Sequence, residues 1–583
     1  MNAAEARSRA EAWANADPDP QTAKELRALL ERGDDAELIE RFGRALEFGT
    51  AGLRGLLGAG PNRMNRAVVR RTTAGFARYL KAHLPDAARS GVVVGRDARR
   101  MSREFAHDTA AVLAAEGIPA LVFSDVVPTP LSAFATVQLG AAGAVMITAS
   151  HNPPEYNGYK LYWDNGAQII PPHDLGIAAS VEQVESADQV PLLPESEARR
   201  LGLWRDVPTE VGQAYLDAIL RHRLHPESPI DLTIVYTAMH GVGGRWFDAA
   251  MESAGVRQVH RVREQHTPDS RFPTLRFPNP EEPGAMDLSR ALAEKVGADL
   301  VLANDPDADR LAVIVRSERG ALVALTGNEV GVLLGHYILT QSKPAKKPLV
   351  ISTIVSSPQL GQIASELGAL YEETLTGFKW IANRALQLES EQPVQFVFGY
   401  EEALGYTIGS AVRDKDGIGS AVAFVDLACW CRSRKRSVLG YLEEIQRRYG
   451  LFVAEQKSFT FSGSEGAAVI GRIIDEFRRA PPACIGGLEV ISVKDYRLRQ
   501  ARTGGNVQPL HLPASDVIAY ELANGSRVTL RPSGTEPKIK YYFEWREALQ
   551  KDEPMIAARQ RANEKLRELE TAFVNLARER GQP

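Results

Sequence analysis

The chain of 583 residues holds only three cysteines, Cys429, Cys431 and Cys484. An odd number this low argues against a disulfide framework and fits a reducing compartment, so a cytoplasmic location is expected. Cys429 and Cys431 lack a plausible set of zinc partners, and Ala428-Cys429-Trp430-Cys431 reads as part of a core helix. No apolar run approaches the roughly eighteen residues that a membrane helix needs. The N-terminus is acidic and Ala-rich, without the basic start and apolar stretch of a signal peptide. Charge of one sign is also missing. A net charge of −4 and a pI near 6.3 give no sign of a nucleic-acid partner. No Gly-Lys pair occurs, which excludes a P-loop kinase. Exact internal repeats are absent.

What is present is ordinary in bulk. A hydrophobic share of 44% and a charged share of 24% describe a globular protein. The length predicts about three to five domains. Short apolar strands alternate with helical stretches, as at Val92-Val93-Val94, Ala120 to Phe123, Leu232 to Tyr236 and Leu349-Val350-Ile351. Such alternation predicts α/β layers. Residues 1–45 read as a helical extension with no chemistry of its own. Thr22-Ala23-Lys24-Glu25 fits a capping box, and Leu26, Leu29 and Leu30 follow at helical spacing. Expected domains then cover 46–205, 206–325, 326–460 and 461–583. In the last, Val528 to Leu530 and Ile539 to Trp545 read as strands. Leu566, Leu569, Phe573 and Leu576 mark one face of a closing helix.

The most informative segment is Thr148-Ala149-Ser150-His151-Asn152-Pro153-Pro154-Glu155-Tyr156-Asn157-Gly158-Tyr159-Lys160. It follows Gly143 to Ile147, a short apolar run that reads as a buried strand. Pro153 and Pro154 fix φ and remove two donors, so the loop cannot continue as a helix. A serine beside a histidine at the mouth of a strand is presented as a nucleophile would be. The plain alternative is a turn.

A second loop, Asn304-Asp305-Pro306-Asp307-Ala308-Asp309-Arg310, follows the apolar Leu300 to Ala303. Alternate residues of an extended segment point the same way, so Asp305, Asp307 and Asp309 can converge if the loop curls. Three carboxylates so close repel unless a cation sits among them, and hard oxygen ligands suit Mg²⁺. An EF-hand would need Gly and Glu where Arg310 and Arg316 stand. A solvated acidic turn is the other reading.

Two further loops recur in the same kind of place. Gly399-Tyr400-Glu401-Glu402-Ala403-Leu404-Gly405 follows the apolar Val394 to Phe398; taken alone it is an acidic turn. In Arg531-Pro532-Ser533-Gly534-Thr535-Glu536-Pro537-Lys538, Arg531 can fork onto a phosphate. Ser533, Thr535 and the backbone at Gly534 can supply donors for an anion nest, or the string can be a plain hairpin.

Together, in this order, these strings resemble the α-D-phosphohexomutases, the phosphoglucomutase and phosphomannomutase superfamily. The match spans about residues 48 to 545 and looks most like the longer branch with phosphoglucomutase-2 and phosphopentomutase-type enzymes. The resemblance implies three related α/β domains with mixed sheets, plus a smaller C-terminal α+β domain, around a central cleft. It implies that Ser150 carries the phosphate and that Asp305, Asp307 and Asp309 hold Mg²⁺, with Ser150 supplying a further oxygen. By motif position Lys160 is the acid/base. As a base it must be neutral, which Arg54 and Arg310 could enforce by repulsion. His151 is implied to buttress the loop or assist the serine. Phe48 to Gly55 resembles the N-terminal signature, whose Arg54 reaches the site. Leu375 to Trp380 resembles a third-domain loop that brings Gly377 and Lys379 near substrate. Arg413-Asp414-Lys415-Asp416-Gly417 resembles a cationic stretch, adding Arg413 and Lys415. Glu401 reads the sugar, while Ala403 stands where relatives usually carry serine. Arg531, Ser533, Gly534 and Thr535 grip the phosphate that does not move.

The implied activity is exchange of a sugar 1-phosphate with its 6-phosphate through a phosphoserine, with a sugar 1,6-bisphosphate as activator. Glucose phosphate and glucose 1,6-bisphosphate are the first expectation; pentose or mannose phosphates are the alternatives. A catalytically silent sugar-phosphate sensor is the reading from another class. The expected partners are small sugar phosphates, with neither nucleic acid nor membrane.

Overall fold

The computed structural model describes residues 1–47, 52–461, 466–532 and 538–581. Its strands form four sheets. The first runs in the order Leu53–Leu56, Tyr156–Trp163, Gly143–Ile147, Val92–Arg96, Ala120–Val122, Trp204–Asp206. The second runs Leu322–Ala324, Ala312–Arg316, Leu300–Ala303, Thr233–Thr237, Gln258–Arg261. The third runs Leu370–Thr374, Lys347–Thr353, Val394–Glu401, Gly405–Ile408. Each combines parallel pairs with an antiparallel edge, so the mixed α/β architecture is as expected.

One unit recurs in all three sheets. A buried strand ends in a loop and returns antiparallel to itself: Gly143–Ile147 into Tyr156–Trp163, Leu300–Ala303 into Ala312–Arg316, Val394–Glu401 into Gly405–Ile408. The three loops carry Ser150, the aspartates and Glu401. Each contains one residue other than glycine with left-handed backbone: Ser150 (φ 50°), Ala308 (φ 55°) and Leu404 (φ 63°). Such backbone is uncommon outside glycine, and it turns each chain sharply enough to expose a side chain at the sheet's end.

A single apolar core runs through the first three units, from Val93 and Met146 through Val301 to Phe398 and Phe424. At its centre lies helix Gly417–Ser433, buried from Gly417 to Cys431 and apolar there except for Ser420 and Asp426, which pairs with Arg223 at 3.4 Å. A helix with no polar face belongs inside the protein, and both of its cysteines are buried.

The fourth sheet has eight strands and is antiparallel throughout its pairings. Helix Met555–Gly581 covers it with Leu566, Leu569 and Phe573. This sheet begins earlier than expected. Leu451–Thr460, assigned above to the third domain, pairs along its whole length with Lys538–Glu547. A strand belongs with the partners that satisfy its backbone, so the sheets divide before Leu451. The fourth unit meets the third through a small apolar cluster of Ile354, Val355 and Leu375 with Tyr496, Val517 and Tyr542.

The N-terminal extension forms three helices, Ala3–Ala16, Pro20–Arg32 and Asp35–Phe42, around Ala6, Ala10, Leu26, Leu38 and Phe42. The expected capping box at Thr22 is not used. Pro20 opens the helix, and the Asp19 carboxylate accepts from Gln21 N instead. Glu25 turns away to Arg41, 2.6 Å distant. Among the described residues no helix is long and apolar enough to cross a membrane.

Candidate active site

Ser150 sits one turn beyond its strand and is 3% exposed. Its Oγ donates to Asp305 Oδ2 at 2.8 Å and lies 3.2 Å from His151 Nδ1. Two loops from two different sheets therefore meet at one oxygen. Burial, reinforced by Arg310 and Arg54, pushes His151 well below its ordinary pKa, which leaves its ring neutral.

The aspartate loop does curl as expected. Ala308 N donates back to Asp305 O, and Asn304 Nδ2 spans the loop to Arg310 O at 2.6 Å. One oxygen from each of Asp305, Asp307 and Asp309 lies within 4.8 Å of the others, and all three residues are buried. Asp307 Oδ2 accepts from Thr129 Oγ1 at 2.6 Å and from Lys160 Nζ at 2.8 Å. Asp309 Oδ2 accepts from Lys160 Nζ at 2.9 Å and lies 3.2 Å from Lys415 Nζ. The second oxygens, Asp307 Oδ1 and Asp309 Oδ1, are buried without a hydrogen-bond partner. Burial and the neighbouring Asp309 and Asp307 push Asp305 well above the usual carboxylate range. Two orphaned anionic oxygens beside a third, destabilised carboxylate form a site that a small dication fits.

Lys160 lies between Asp307 and Asp309. Burial alone would favour its neutral form, but Asp307 and Asp309 outweigh burial and raise its pKa. The cations invoked to discharge it are engaged elsewhere. Arg54 donates to Asn152 Oδ1 at 3.1 Å, and Arg310 pairs with Glu281 at 3.5 Å. Lys160 Nζ thus ties the two aspartates together.

These groups open onto a cleft of about 1520 Å³ walled by all four units. Ser150, His151, Lys160, Arg54, Asp309 and Arg310 line it, as do Gly377, Glu401, Ala403, Lys415 and Arg531, with Lys415 reaching across to Asp309. Burial, opposed by Lys415 and aided by Glu402, lifts Glu401 to about 7. Lys379 and Arg413 are not among the lining residues. Lys379 Nζ reaches Asp174 at 3.7 Å and Arg413 Nη1 donates to Asn165 O at 2.6 Å, so both tie the third unit to the first. Ser533, Gly534 and Thr535 lie outside the described residues.

The structure adds residues that the motifs did not single out. Glu281 and Lys540 line the cleft, as do Glu40, Arg44 and Ala45 of the N-terminal extension. Thr129 fixes Asp307, and Arg99 holds the Ser150 loop from behind. The pairing of Arg531 with Lys540 across adjacent strands, visible only once the strands are in register, puts a second cation on the same wall.

Comparison with known proteins places this geometry. Four domain models match in succession: phosphoglucomutase/phosphomannomutase alpha/beta/alpha domain I at residues 45–188, domain II at 213–320, domain III at 326–449 and the C-terminal domain at 494–554. The chain belongs to the phosphoglucomutase/phosphomannomutase family. Phosphopentomutase of Mus musculus is 38% identical over 558 residues, covering 91% of this chain and 89% of that protein. Glucose 1,6-bisphosphate synthase of Homo sapiens is 35% identical over 555 residues, covering 91% and 88%. In fold, the chain is similar to the open form of parafusin, a phosphoglucomutase from Paramecium, with a TM-score of 0.65, 18% identity, and coverage of 92% and 94%. As a member of this family the chain is an intramolecular phosphotransferase, an isomerase of phosphorylated sugars.

Proposed function

We propose that the chain is a mutase that moves phosphate between the anomeric and terminal hydroxyls of a sugar through a phosphorylated Ser150, with pentose 1-phosphate preferred and glucose 1-phosphate accepted. The observation that carries the relay is the contact of Ser150 Oγ with Asp305, 2.8 Å away across two sheets. Asp305, Asp307 and Asp309 would hold Mg²⁺, and the unpartnered oxygens of Asp307 and Asp309 support that fit. When bound, Mg²⁺ offsets charge on the transferring group.

The chain's own groups do the rest. Asp305 at 2.8 Å and neutral His151 at 3.2 Å are the acceptors available for the serine proton when Oγ takes a phosphate. Lys160 would give its proton to the departing sugar oxygen as Ser150 takes a phosphate, and in the reverse transfer, then neutral, it would take the proton of the attacking sugar hydroxyl. Arg531 and Lys540 would bind the phosphate that stays, and Glu401 would accept from the sugar hydroxyls. That binding positions the reacting oxygen. A catalytically silent sensor would have no use for a complete acidic triad joined to the serine.

For the sugar, two facts favour pentose over the hexose first expected. A relative named for pentose phosphate is 38% identical over 91% of this chain, while a probable phosphomannomutase of the same identity is matched over 85%. Ala403 lines the cleft without a hydroxyl with which to select a hexose. The deciding experiment is a coupled assay on ribose, deoxyribose, glucose and mannose 1-phosphates with a bisphosphate activator, run on the parent and on Ala403→Ser. The parent should favour pentose by kcat/KM. The added hydroxyl should tilt the ratio toward hexose by about 1–2 kcal/mol if it bonds the sugar. A parent specific for hexose would overturn the sugar assignment, and no turnover of any would overturn the mutase.

A further inference from the structure

We infer that Arg99 is a positioning residue of phosphoryl transfer, a strut that holds the Ser150 loop against the unit that carries the aspartates. The inference rests on reading Ser150 as the phosphate carrier. Strand Val92–Arg96 runs parallel to Gly143–Ile147 with Arg96 opposite Ile147, so the two strands end side by side. Asp97 N donates to Ile147 O at 3.0 Å. Two residues on, Arg99 enters the curl of the Ser150 loop from the side away from the cleft. Its Nη2 donates to Ser150 O at 2.6 Å and to Asn152 O; its Nη1 donates to Pro153 O at 2.8 Å and to Tyr156 O at 3.3 Å.

One planar fork therefore satisfies four carbonyls within seven residues, which an ammonium with three donors cannot reproduce. The loop needs this support. Pro153 and Pro154 donate no hydrogen bonds, and Ser150 is held with left-handed backbone that persists only where its surroundings enforce it. The strut is itself braced. Asp97 lies 3.4 Å from Arg99 Nε and is fixed by Arg99 N at 2.9 Å and Ser102 Oγ at 2.6 Å.

Arg99 also leans on the second unit. Its guanidinium lies 4.9 Å from the centre of the Phe272 ring. Phe272 meets the His240 ring edge-on at 6.4 Å. The turn after His240 packs on the aspartate loop: Val242 N donates to Pro306 O at 2.8 Å, and a Cβ at Gly241 would lie 2.3 Å from Pro306 Cα. Arg99 thus joins the carrier loop to the body of the aspartate loop from behind, while the Ser150–Asp305 contact joins them in front. It does not line the cleft, so it acts through Ser150 and not on the sugar.

The test uses the full chain with Arg99→Lys, Arg99→Ala and Phe272→Leu. kcat and KM are measured for glucose and ribose 1-phosphates, and loss of phosphate from the protein is followed by intact mass without sugar. Arg99→Lys should lower kcat by roughly 10- to 100-fold, the scale of about a 1 Å misplacement, with KM within about twofold of the parent. Its phosphoserine should decay faster: water attacks phosphorus, the bond to Oγ breaks, Oγ regains a proton and inorganic phosphate leaves. Phe272→Leu should move both readouts the same way by less, and it decides the matter with Arg99→Lys if Arg99→Ala does not fold. A lower melting temperature with kcat, KM and phosphoserine lifetime all unchanged would overturn the strut, as would a KM effect at constant kcat. Ser150→Ala separates the two claims. Parent-like activity there would remove the carrier reading itself, whereas an inactive Ser150→Ala beside a normal Arg99→Lys would remove only the strut.

Discussion

On one side of the cleft Ser150, Lys160, Asp305, Asp307 and Asp309 are nearly inaccessible and bonded to one another. On the other, Ala403, Arg531 and Lys540 are partly exposed, although Glu401 and Lys415 near them are buried. The first side already has its groups in contact with one another, so once a cation offsets the three carboxylates little reorganisation is needed at the moment of transfer. The second side is incomplete until a phosphate or sugar fills it. The difference suits the proposed relay, which would take a bisphosphate by either end: its chemistry would have one geometry, whereas recognition would have to tolerate two.

Breaking the assembled side should cost most. Ser150→Ala should lower kcat by on the order of 10³-fold or more, the scale of losing a covalent nucleophile, while thermal unfolding stays close to that of the parent. Parent-like turnover would show that the buried side is a scaffold and not the reacting centre. Next in size, Asp307→Asn removes an anionic oxygen and weakens the Lys160 tie. Calorimetry should show Mg²⁺ binding about 10- to 100-fold weaker, with slower turnover; unchanged affinity would make the aspartate loop structural.

The open side should respond in KM. Arg531→Ala should raise KM by roughly tenfold or more, from the loss of a charged hydrogen bond, at nearly constant kcat. A loss confined to kcat would erase the contrast between the two sides. The smallest effect is a pH dependence. Glu401 is lifted to about 7, so its accepting carboxylate form is lost as pH falls through neutrality. KM should rise by up to about tenfold between pH 8 and pH 6. Glu401→Gln should hold a raised KM that no longer varies over this range. A persisting pH profile in that variant would assign it to another group.

Much of the assembled side was legible in the sequence. Ser150, His151 and the three aspartates fall in compact strings, each behind an apolar strand, and alternation within the loop was enough to bring the aspartates together. The setting of Lys160 was not legible, because the carboxylates next to it come from 147 and 149 residues away. Arg99 was hidden for a related reason. A lone arginine after a strand has no pattern, and its role appears only when the neighbouring strand places the Ser150 loop over it. Lys379 and Arg413 read as substrate ligands from their strings, but their side chains find nearer partners in the first unit.

By itself the sequence determined the local order: strands from apolar runs, loops from proline and glycine, an acidic loop that calls for a cation, and the family to which these strings point. Those properties follow from residues within a few positions of one another. Only the tertiary structure decided which sheet owns Leu451–Thr460, that the N-terminal extension reaches the cleft, that Lys160 lies between two aspartates and that Arg99 bonds the Ser150 loop. The reason is electrostatic and steric. A pKa, a strand pairing or a hydrogen bond to a carbonyl is set by atoms within a few ångströms, and chain folding draws those atoms from all along the sequence.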